Sequence, residues 1–247
     1  MNRFASTSAA LALGAVAAGP SQAALQLSPV QLHVPPQAAS TVLSVKNAGQ
    51  AEVRLKISVS AWRQGDAGEE LTKTEDVILY PPLFTLAPGV ERSVRVATRI
   101  RPGASEQTYR LLIEELPNGL VTAGTAFILN YSLPVFIDPA GNIDEPKLRF
   151  ENAHAQGSAL VFDAVNAGNA HVKIDSGSVK LTGDAGEIAK KDLDTGYVLA
   201  GMRRRISVPL PEGACAKVRE VRVDAMAEQR KFVLAFKPEG GCGPSAR

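Results

Sequence analysis

The stretch NAGQAEV, Asn47–Val53, recurs later in the chain as NAGNAHV, Asn166–Val172. Each copy leads into a run in which apolar and polar residues alternate. Asn and Gly take left-handed backbone angles more readily than other residues, so each copy predicts a tight turn between two strands. A weaker repeat follows in the same order, because Leu86-Ala-Pro-Gly89 resembles Leu199-Ala-Gly201. Two repeats in one order predict two similar β domains in tandem.

Other runs also have the period of β-strands. Alternation over five to seven residues places one face of a strand on a core and the other in water. The clearest runs are Ser40–Lys46, Val53–Val59, Arg92–Val96 and Arg219–Val223. No segment after the N-terminal region keeps a helical period over three turns. The sequence therefore predicts an all-β protein of two sandwiches, residues 24–137 and 147–247, joined by a turn-rich linker at 138–146.

The N-terminus has the pattern of an export signal. Arg3 precedes the apolar core Ala9–Ala18, and Ser21-Gln22-Ala23 has the small-x-small form of a signal peptidase site. Cleavage would remove residues 1–23. The alternative, an amphipathic start of the folded domain, is disfavoured because the stretch has no polar face. No later segment has the roughly 18 consecutive apolar residues of a membrane span, so we expect an exported protein without membrane insertion.

The cysteines, the histidines and the net charge indicate which bonds, metal sites and binding partners can be expected. Cys215 and Cys242 are the only cysteines, and an isolated pair in an oxidising compartment favours one disulfide over free thiols or intermolecular pairing. His33, His154 and His171 lack ligand spacing, so no metal site is expected. A formal net charge of +2 argues against a nucleic-acid partner or an anionic membrane.

Catalytic motifs are absent from the sequence except for one tripeptide. Asp194-Thr195-Gly196 matches the aspartic-protease loop, but that chemistry needs two such carboxylates and only one copy occurs. The sequence has no nucleophile elbow, no His-Glu-x-x-His and no phosphate-binding glycine loop. We therefore expect a protein that is not an enzyme and needs no cofactor.

The run TAFILNYSLPVFI, Thr125–Ile137, contains no charge, although 21% of the chain is charged. A period of two brings alternate residues of the run to one face. These residues are Phe127, Leu129, Tyr131 and Leu133. Pro134 cannot donate to a ladder and fits best at an edge or a strand end. The run is either a core strand buried by its own domain or a strand whose apolar face serves a partner.

Three segments in order resemble the periplasmic chaperones of chaperone–usher pili, above all the archaic Csu-like branch. They are Pro81–Val96, Thr108–Pro117 and Leu129–Phe136. The resemblance covers residues 24–137 well and the second domain only in outline. It implies two immunoglobulin-like domains in an L shape, a periplasmic location, and pilin subunits and an outer-membrane usher as partners.

The resemblance also implies a mechanism. Chaperones of this family insert the last strand of their first domain, G1, into a pilin subunit that lacks one. The donor strand here would be Thr125–Leu133, and Leu25 and Leu27 of the first strand would add edge contacts. A bare donor strand is an association hazard, so the free protein is expected to form a self-capped dimer.

The family holds the subunit's C-terminal carboxylate with an Arg in the first strand and a Lys in G1. The resemblance aligns Gln31 near the first of these positions and Pro134 with the second. Arg110 is our candidate for the anchor, with Tyr109 as a second donor if the backbone twists; the alternative is an outward-facing, solvated Arg.

Two other functions stay open, an exported immunoglobulin-like structural protein or adhesin, and an exported β-sandwich enzyme or carbohydrate-binding module.

Overall fold

A computed structural model describes residues 25–65, 68–117, 130–156, 158–211 and 217–237. The predicted signal, the first part of the uncharged run including Phe127 and Leu129, and both cysteines lie outside these ranges. Apart from a single 3₁₀ position at Lys217, every regular element in the described ranges is a β-strand. None of the described residues form a helix long and apolar enough to cross a bilayer.

Ten strands form the first sandwich. They are β1 (Leu25–Ser28), β2 (Leu32–Val34), β3 (Ser40–Asn47), β4 (Val53–Gly65), β5 (Gly68–Lys73), β6 (Val77–Tyr80), β7 (Leu83–Leu86), β8 (Glu91–Thr98), β9 (Gln107–Leu116) and β10 (Asn130–Ile137). One sheet has the order β1-β3-β8-β6, and the other has the order β2-β10-β9-β4-β5, with β7 beside β4. All the ladders are antiparallel except that between β2 and β10.

Eight strands form the second sandwich. They are β11 (Leu148–Gln156), β12 (Ala159–Asn166), β13 (Val172–Gly183), β14 (Gly186–Asp192), β15 (Gly196–Val198), β16 (Arg203–Pro209), β17 (Glu220–Ala227) and β18 (Arg230–Phe236). The sheets have the orders β11-β12-β16 and β14-β13-β17-β18, with β15 beside β13. Each sandwich has its own hydrophobic core, which confirms the prediction of two all-β sandwiches.

The strands form where the sequence alternates. In β4, Val53, Leu55 and Ile57 are buried, whereas Arg54 and Lys56 between them are exposed. Burial of a Val, Leu or Ile side chain contributes about 1.5–3 kcal/mol, and a shift of one residue would expose the whole set. The alternating pattern therefore determines both the strand and its register.

The repeated Asn-Ala-Gly stretches make the same contacts in both sandwiches. The Asn47 amide donates to the carbonyls of Ala51 (2.8 Å) and Leu86 (3.0 Å), and its Oδ1 accepts from the Gly49 N–H (2.9 Å). The Asn166 amide donates to Ala170 (2.7 Å) and Val198 (3.0 Å) in the same way. Both side chains are buried. Each Asn thus ties its turn to a neighbouring strand.

The positive backbone angles lie elsewhere than the sequence predicts. Among the described residues, left-handed φ values occur in the weaker repeat, at Gly89 (76°) and Gly201 (65°), and not at the Asn or Gly of the Asn-Ala-Gly stretches. The prediction of positive φ at those Asn and Gly residues is therefore wrong. The side chains of Asn47 and Asn166 serve as hydrogen-bonding groups, which requires no left-handed backbone.

Replacing Asn166 by Ala should lower the free energy of unfolding by about 1–3 kcal/mol, because one buried carbonyl and one partly buried carbonyl would lose their donor. Asn47→Ala should have the same effect on the first sandwich. Urea unfolding, monitored by circular dichroism, measures this loss of stability. Asn142→Ala is the matched control, since Asn142 is exposed and should change stability by less than about 0.5 kcal/mol. A loss at Asn166 no larger than at Asn142 would contradict the assigned role.

Candidate functional site

Strand β10 has one open edge. It pairs with β9 along its whole length, Asn130–Ile137. On the other side, β2 pairs only with Val135–Ile137. Among the described residues, the edge Asn130–Pro134 therefore has no strand partner on this side. Unpaired backbone N–H and C=O groups at such an edge are a template for a strand of another chain.

The side chains at this open edge differ from the sequence-based expectation. Leu133 is 7% exposed and lies in the core of its own domain, and Tyr131 packs partly buried against that core. Asn130 and Ser132 are exposed on the other face. The alternation of β10 places Leu133 on the inner face of its sheet. Leu133 therefore fills its own domain, in contrast to the expectation that it faces a partner.

The first strand also directs its side chains inward. Leu25 is 4% exposed in the first core, and Leu27 packs partly buried against it. Strand β1 is the outer strand of its sheet and pairs only with β3 among the described strands. A contact between β1 and a partner would therefore use its backbone edge rather than these two Leu side chains.

Arg110 lies on the outer face of the sheet, close to the end of the open edge. In the ladder, Arg110 of β9 is opposite Pro134 of β10. The Arg110 guanidinium carbon is 3.7 Å from the centre of the Trp62 ring. Its Nη2 is 3.7 Å from Oε1 of Glu69, and the side chain is 17% exposed. Arg110 is thus a largely buried cation stacked on an aromatic ring, not a solvated surface residue.

The guanidinium of Arg110 keeps its donors available. Within the described part of the chain it makes the stacking contact and the long ion pair, but no hydrogen bond. Burial lowers the pKa of Arg110 from its ordinary value, while Glu69 and Tyr197 act in the opposite direction. A guanidinium is a very strong base, so Arg110 keeps its charge at this site. The planar fork can therefore bind an incoming carboxylate.

Tyr109 points the opposite way. It is 2% exposed in the first core, and its hydroxyl donates to Oδ2 of Asp76 at 3.0 Å. Burial, followed by the bond to Asp76, raises the pKa of Tyr109. The structure thus places Tyr109 away from Arg110, so the two residues do not form one anion site.

Gln31, which the resemblance aligns near the family's Arg, lies at the domain junction. Its amide nitrogen is 2.8 Å from Nε2 of His33, and the Tyr197 hydroxyl donates to its Oε1 at 3.1 Å. Tyr197 also packs edge-on against Trp62, with ring centres 5.7 Å apart. Gln31, which directly precedes β2, thus contacts Tyr197, and Arg110 on β9 is close enough to Tyr197 for the two to interact electrostatically.

Aromatic residues join the two sandwiches. Trp62, Phe136 and Leu199 form a buried cluster, against which Tyr197 and Met202 pack. The Phe136 ring stacks on His171 at 3.9 Å. Sequence analysis missed this cluster, because a strand pattern identifies apolar positions without identifying the domain that covers them.

Gln64 adds polar contacts between the sandwiches. Its amide donates to the Tyr197 carbonyl (2.8 Å), and its Oε1 accepts from the Leu199 N–H (2.9 Å). Both bonds are made to the backbone of the second sandwich. Nothing in the sequence around Gln64 indicates this role.

Phe136→Ala should weaken the junction. Phe136 is fully buried against both sandwiches, and Phe-to-Ala changes in cores cost about 3–5 kcal/mol. Urea unfolding should report this loss. Tyr80→Ala provides the comparison, because Tyr80 is 73% exposed and its removal should change stability by less than about 0.5 kcal/mol. Equal stability of the two variants would show that Phe136 does not support the junction.

The lone Asp-Thr-Gly tripeptide directly precedes Tyr197 in the chain, but its carboxylate faces solvent. Asp194 is 71% exposed and forms an ion pair with Arg204. Asp194 is thus a surface residue in the connection between β14 and β15.

The first sandwich matches a known family. Residues 24–142 match the model of the PapD N-terminal domain, described as a pili and flagellar-assembly chaperone. The first sandwich therefore belongs to this family. The resemblance drawn from the three sequence segments is therefore confirmed. No curated protein sequence matches this PapD-type chain.

Solved structures of pilus chaperones share the fold along most of the PapD-type chain. CsuC from the archaic Csu pili of Acinetobacter baumannii, solved with the tip subunit CsuE, has a TM-score of 0.65 at 16% identity, covering 88% of this chain and 100% of that one. SafB of Salmonella enterica, solved with the SafA pilin, has a TM-score of 0.57 at 14% identity, covering 88% and 99%. DraB of E. coli has a TM-score of 0.56 at 15% identity, covering 85% and 97%. The prediction of two immunoglobulin-like domains is confirmed.

Proposed function

We propose that this pilus-assembly chaperone acts in the periplasm, binds pilin subunits by donor-strand complementation with β10 and delivers them to an outer-membrane usher. The open edge Asn130–Pro134 carries the proposal. A subunit strand that pairs with this edge gains the backbone partners it lacks, as in other cases of β-strand addition. CsuC and SafB, two of the structural neighbours, were solved with a subunit of their own pili, which supports pilins as the partner class.

Backbone pairing alone is too weak for a stable complex. Each net hydrogen bond contributes about 0.5–1.5 kcal/mol, and association itself costs several kcal/mol. Apolar side chains must supply the rest, at about 1.5–3 kcal/mol for each buried Phe or Leu. Since Leu133 fills its own domain, we assign this role to Phe127 and Leu129, which precede the open edge and lie outside the described residues. Tyr131 would contribute only its exposed part.

Arg110 is proposed to bind the C-terminal carboxylate of the subunit. It lies opposite Pro134, where the open edge ends and pairing with β2 begins. A subunit strand along the edge would thus end beside a guanidinium whose donors are available. Tyr197 and Gln31 are close enough to shape the same site. Tyr109 is no longer a candidate, because its hydroxyl is committed to Asp76 in the core.

Co-expression with a pilin encoded beside this chain tests the function. The expected result is a soluble one-to-one complex in the periplasm, with the pilin degraded or aggregated when the chaperone is omitted. Recovery of equally soluble pilin without the chaperone would contradict the proposal.

Gel filtration of the free protein at two concentrations tests the self-capped dimer, which should dissociate on dilution and upon addition of subunit.

A further inference from the structure

Three residues that are distant in sequence meet at the domain junction. His33, Glu106 and Asp138 each bring one potential ligand atom within 4.8 Å of the other two. We propose that they bind a divalent transition-metal ion of the zinc class. The spacing of the three histidines along the chain does not indicate this site, because the fold brings together residues from different strands and loops.

The three residues are held on the rigid part of the first domain. His33 lies in β2, Glu106 directly precedes β9, and Asp138 directly follows β10. The Asp138 N–H donates to the Val34 carbonyl at 3.0 Å, next to His33. The Glu106 N–H donates to the Asn169 carbonyl of the second domain at 2.8 Å. Backbone hydrogen bonds thus position two of the three ligands.

The charges at the junction favour a bound cation. The Glu106 side chain is 1% exposed and that of Asp138 is 17% exposed. Within the described residues, both carboxylates contact histidines, and no Lys or Arg forms an ion pair with either of them. Burial of two carboxylates without a permanent cation is costly. A divalent ion between them would remove this cost.

The geometry around His33 fits a metal ligand. Its Nδ1 is 2.8 Å from Oδ1 of Asp138, and two atoms that bind one ion at about 2.0–2.2 Å lie roughly 3 Å apart. Its Nε2 faces the Gln31 amide, which in turn contacts the Tyr197 hydroxyl. A half-turn of that amide lets its oxygen accept Nε2–H, while the Tyr hydroxyl accepts from the amide nitrogen. Nδ1 is then free to bind the ion.

His171 would support the site from the second domain. Its backbone N–H donates to Oε2 of Glu106 at 2.9 Å, and its Nδ1 donates to Oε1 at 2.9 Å. Each carboxylate oxygen keeps a lone pair for a metal. Groups that hydrogen-bond to a ligand in this way orient it and raise its affinity for the ion. The ion would therefore also stabilise the contact between the two domains.

A cavity of about 590 Å³ leads to the site, with His33, Glu106 and His171 in its wall. Carboxylates outnumber permanent cations in this wall, which concentrates cations in the cavity. The carboxylates are Glu106, Asp144, Glu145, Asp175 and Glu228, and the cations are Lys173 and Arg230. A mixed nitrogen and oxygen ligand set suits Zn²⁺ better than Ca²⁺ or Mg²⁺.

Metal binding to the free, untagged mature protein tests the site without any pilin, so its outcome is independent of the chaperone function. Titration calorimetry with Zn²⁺ should give one equivalent, and Co²⁺ should give visible absorption bands of a low-coordinate complex. His33→Gln should lower the affinity at least about 10-fold. His154→Gln should leave it unchanged, because His154 is exposed on the second domain.

Asp138→Asn separates metal binding from structure. The amide keeps the size of Asp138 and its contact with His33 but loses the charge, so the metal-free Tm should stay near that of the wild type while Zn²⁺ affinity falls. Absence of stoichiometric binding, or equal affinity in the wild type and His33→Gln, would overturn the proposal. A Tm that depends on pH but does not respond to Zn²⁺ would overturn it too, because protons would then balance the carboxylates.

Discussion

Replacing Leu129 by Asp is expected to abolish the complex with a pilin subunit. On the proposed mechanism, Leu129 enters the groove of the subunit. The variant would lose about 1.5–3 kcal/mol of burial and would place an unpaired carboxylate in an apolar core, at a further cost of several kcal/mol. The expected weakening is at least about 10³-fold, enough to prevent co-purification.

The same chemical change at an exposed strand position is the control. Leu71 of β5 is 56% exposed, so Leu71→Asp should leave the complex intact. Both variants should show the circular dichroism spectrum and Tm of the wild type in the absence of subunit. Co-purification of pilin with Leu129→Asp at the wild-type level would exclude Leu129 as a donor residue. Loss of the complex in both variants would indicate a general effect of added charge.

Replacing Arg110 by Ala is expected to weaken subunit binding by about 2–5 kcal/mol, or at least roughly 30-fold. This is the cost of leaving the buried carboxylate of the subunit without its partner. The affinity of Arg110→Lys should lie between those of the wild type and Arg110→Ala, because Lys keeps the charge but cannot form the planar, bidentate contact. Isothermal titration calorimetry with a subunit refolded in the presence of the chaperone measures the difference in binding free energy between the wild type and the two variants.

Arg92 offers a matched control. Its guanidinium also lies over an aromatic ring, that of Phe84, at 5.5 Å, but Arg92 is an exposed residue of β8 in the other sheet. Arg92→Ala should therefore not affect binding. A subunit with a C-terminal amide should bind the wild type and Arg110→Ala with nearly equal affinity. An undiminished effect of Arg110→Ala on the amidated subunit would show that Arg110 does not hold the carboxylate.

The strand pattern was predictable because side-chain alternation is a local property. Ser40–Lys46 and Val53–Val59 each alternate, and they form β3 and the first part of β4. The tandem repeat was also predictable, since equivalent Asn side chains make equivalent bonds in both sandwiches. The backbone angles at those turns were not predictable. Asn can stabilise a turn either by adopting a positive φ or by hydrogen bonds from its side chain, and the sequence does not distinguish the two.

The functional region was only partly predictable. An uncharged strand and an Arg in the preceding strand are visible in the sequence, and the structure places Arg110 beside the end of the open edge. The direction of Leu133 was not predictable, because the apolar face of an uncharged strand can pack either on its own domain or on a partner, and the sequence pattern is the same in both cases. The His33, Glu106 and Asp138 cluster was missed because its members are joined only by tertiary structure.

Hydrogen–deuterium exchange of the chaperone, free and bound to a pilin, tests the central claim most directly. If the open edge of β10 pairs with a strand of the pilin, the amides of Asn130–Leu133 and of the preceding uncharged run should become strongly protected from exchange in the complex. The edge of β18, the outer strand of its sheet in the second domain, should exchange as before. A stable complex in which the amides of Asn130–Leu133 exchange as fast as in the free protein would contradict donor-strand complementation by β10.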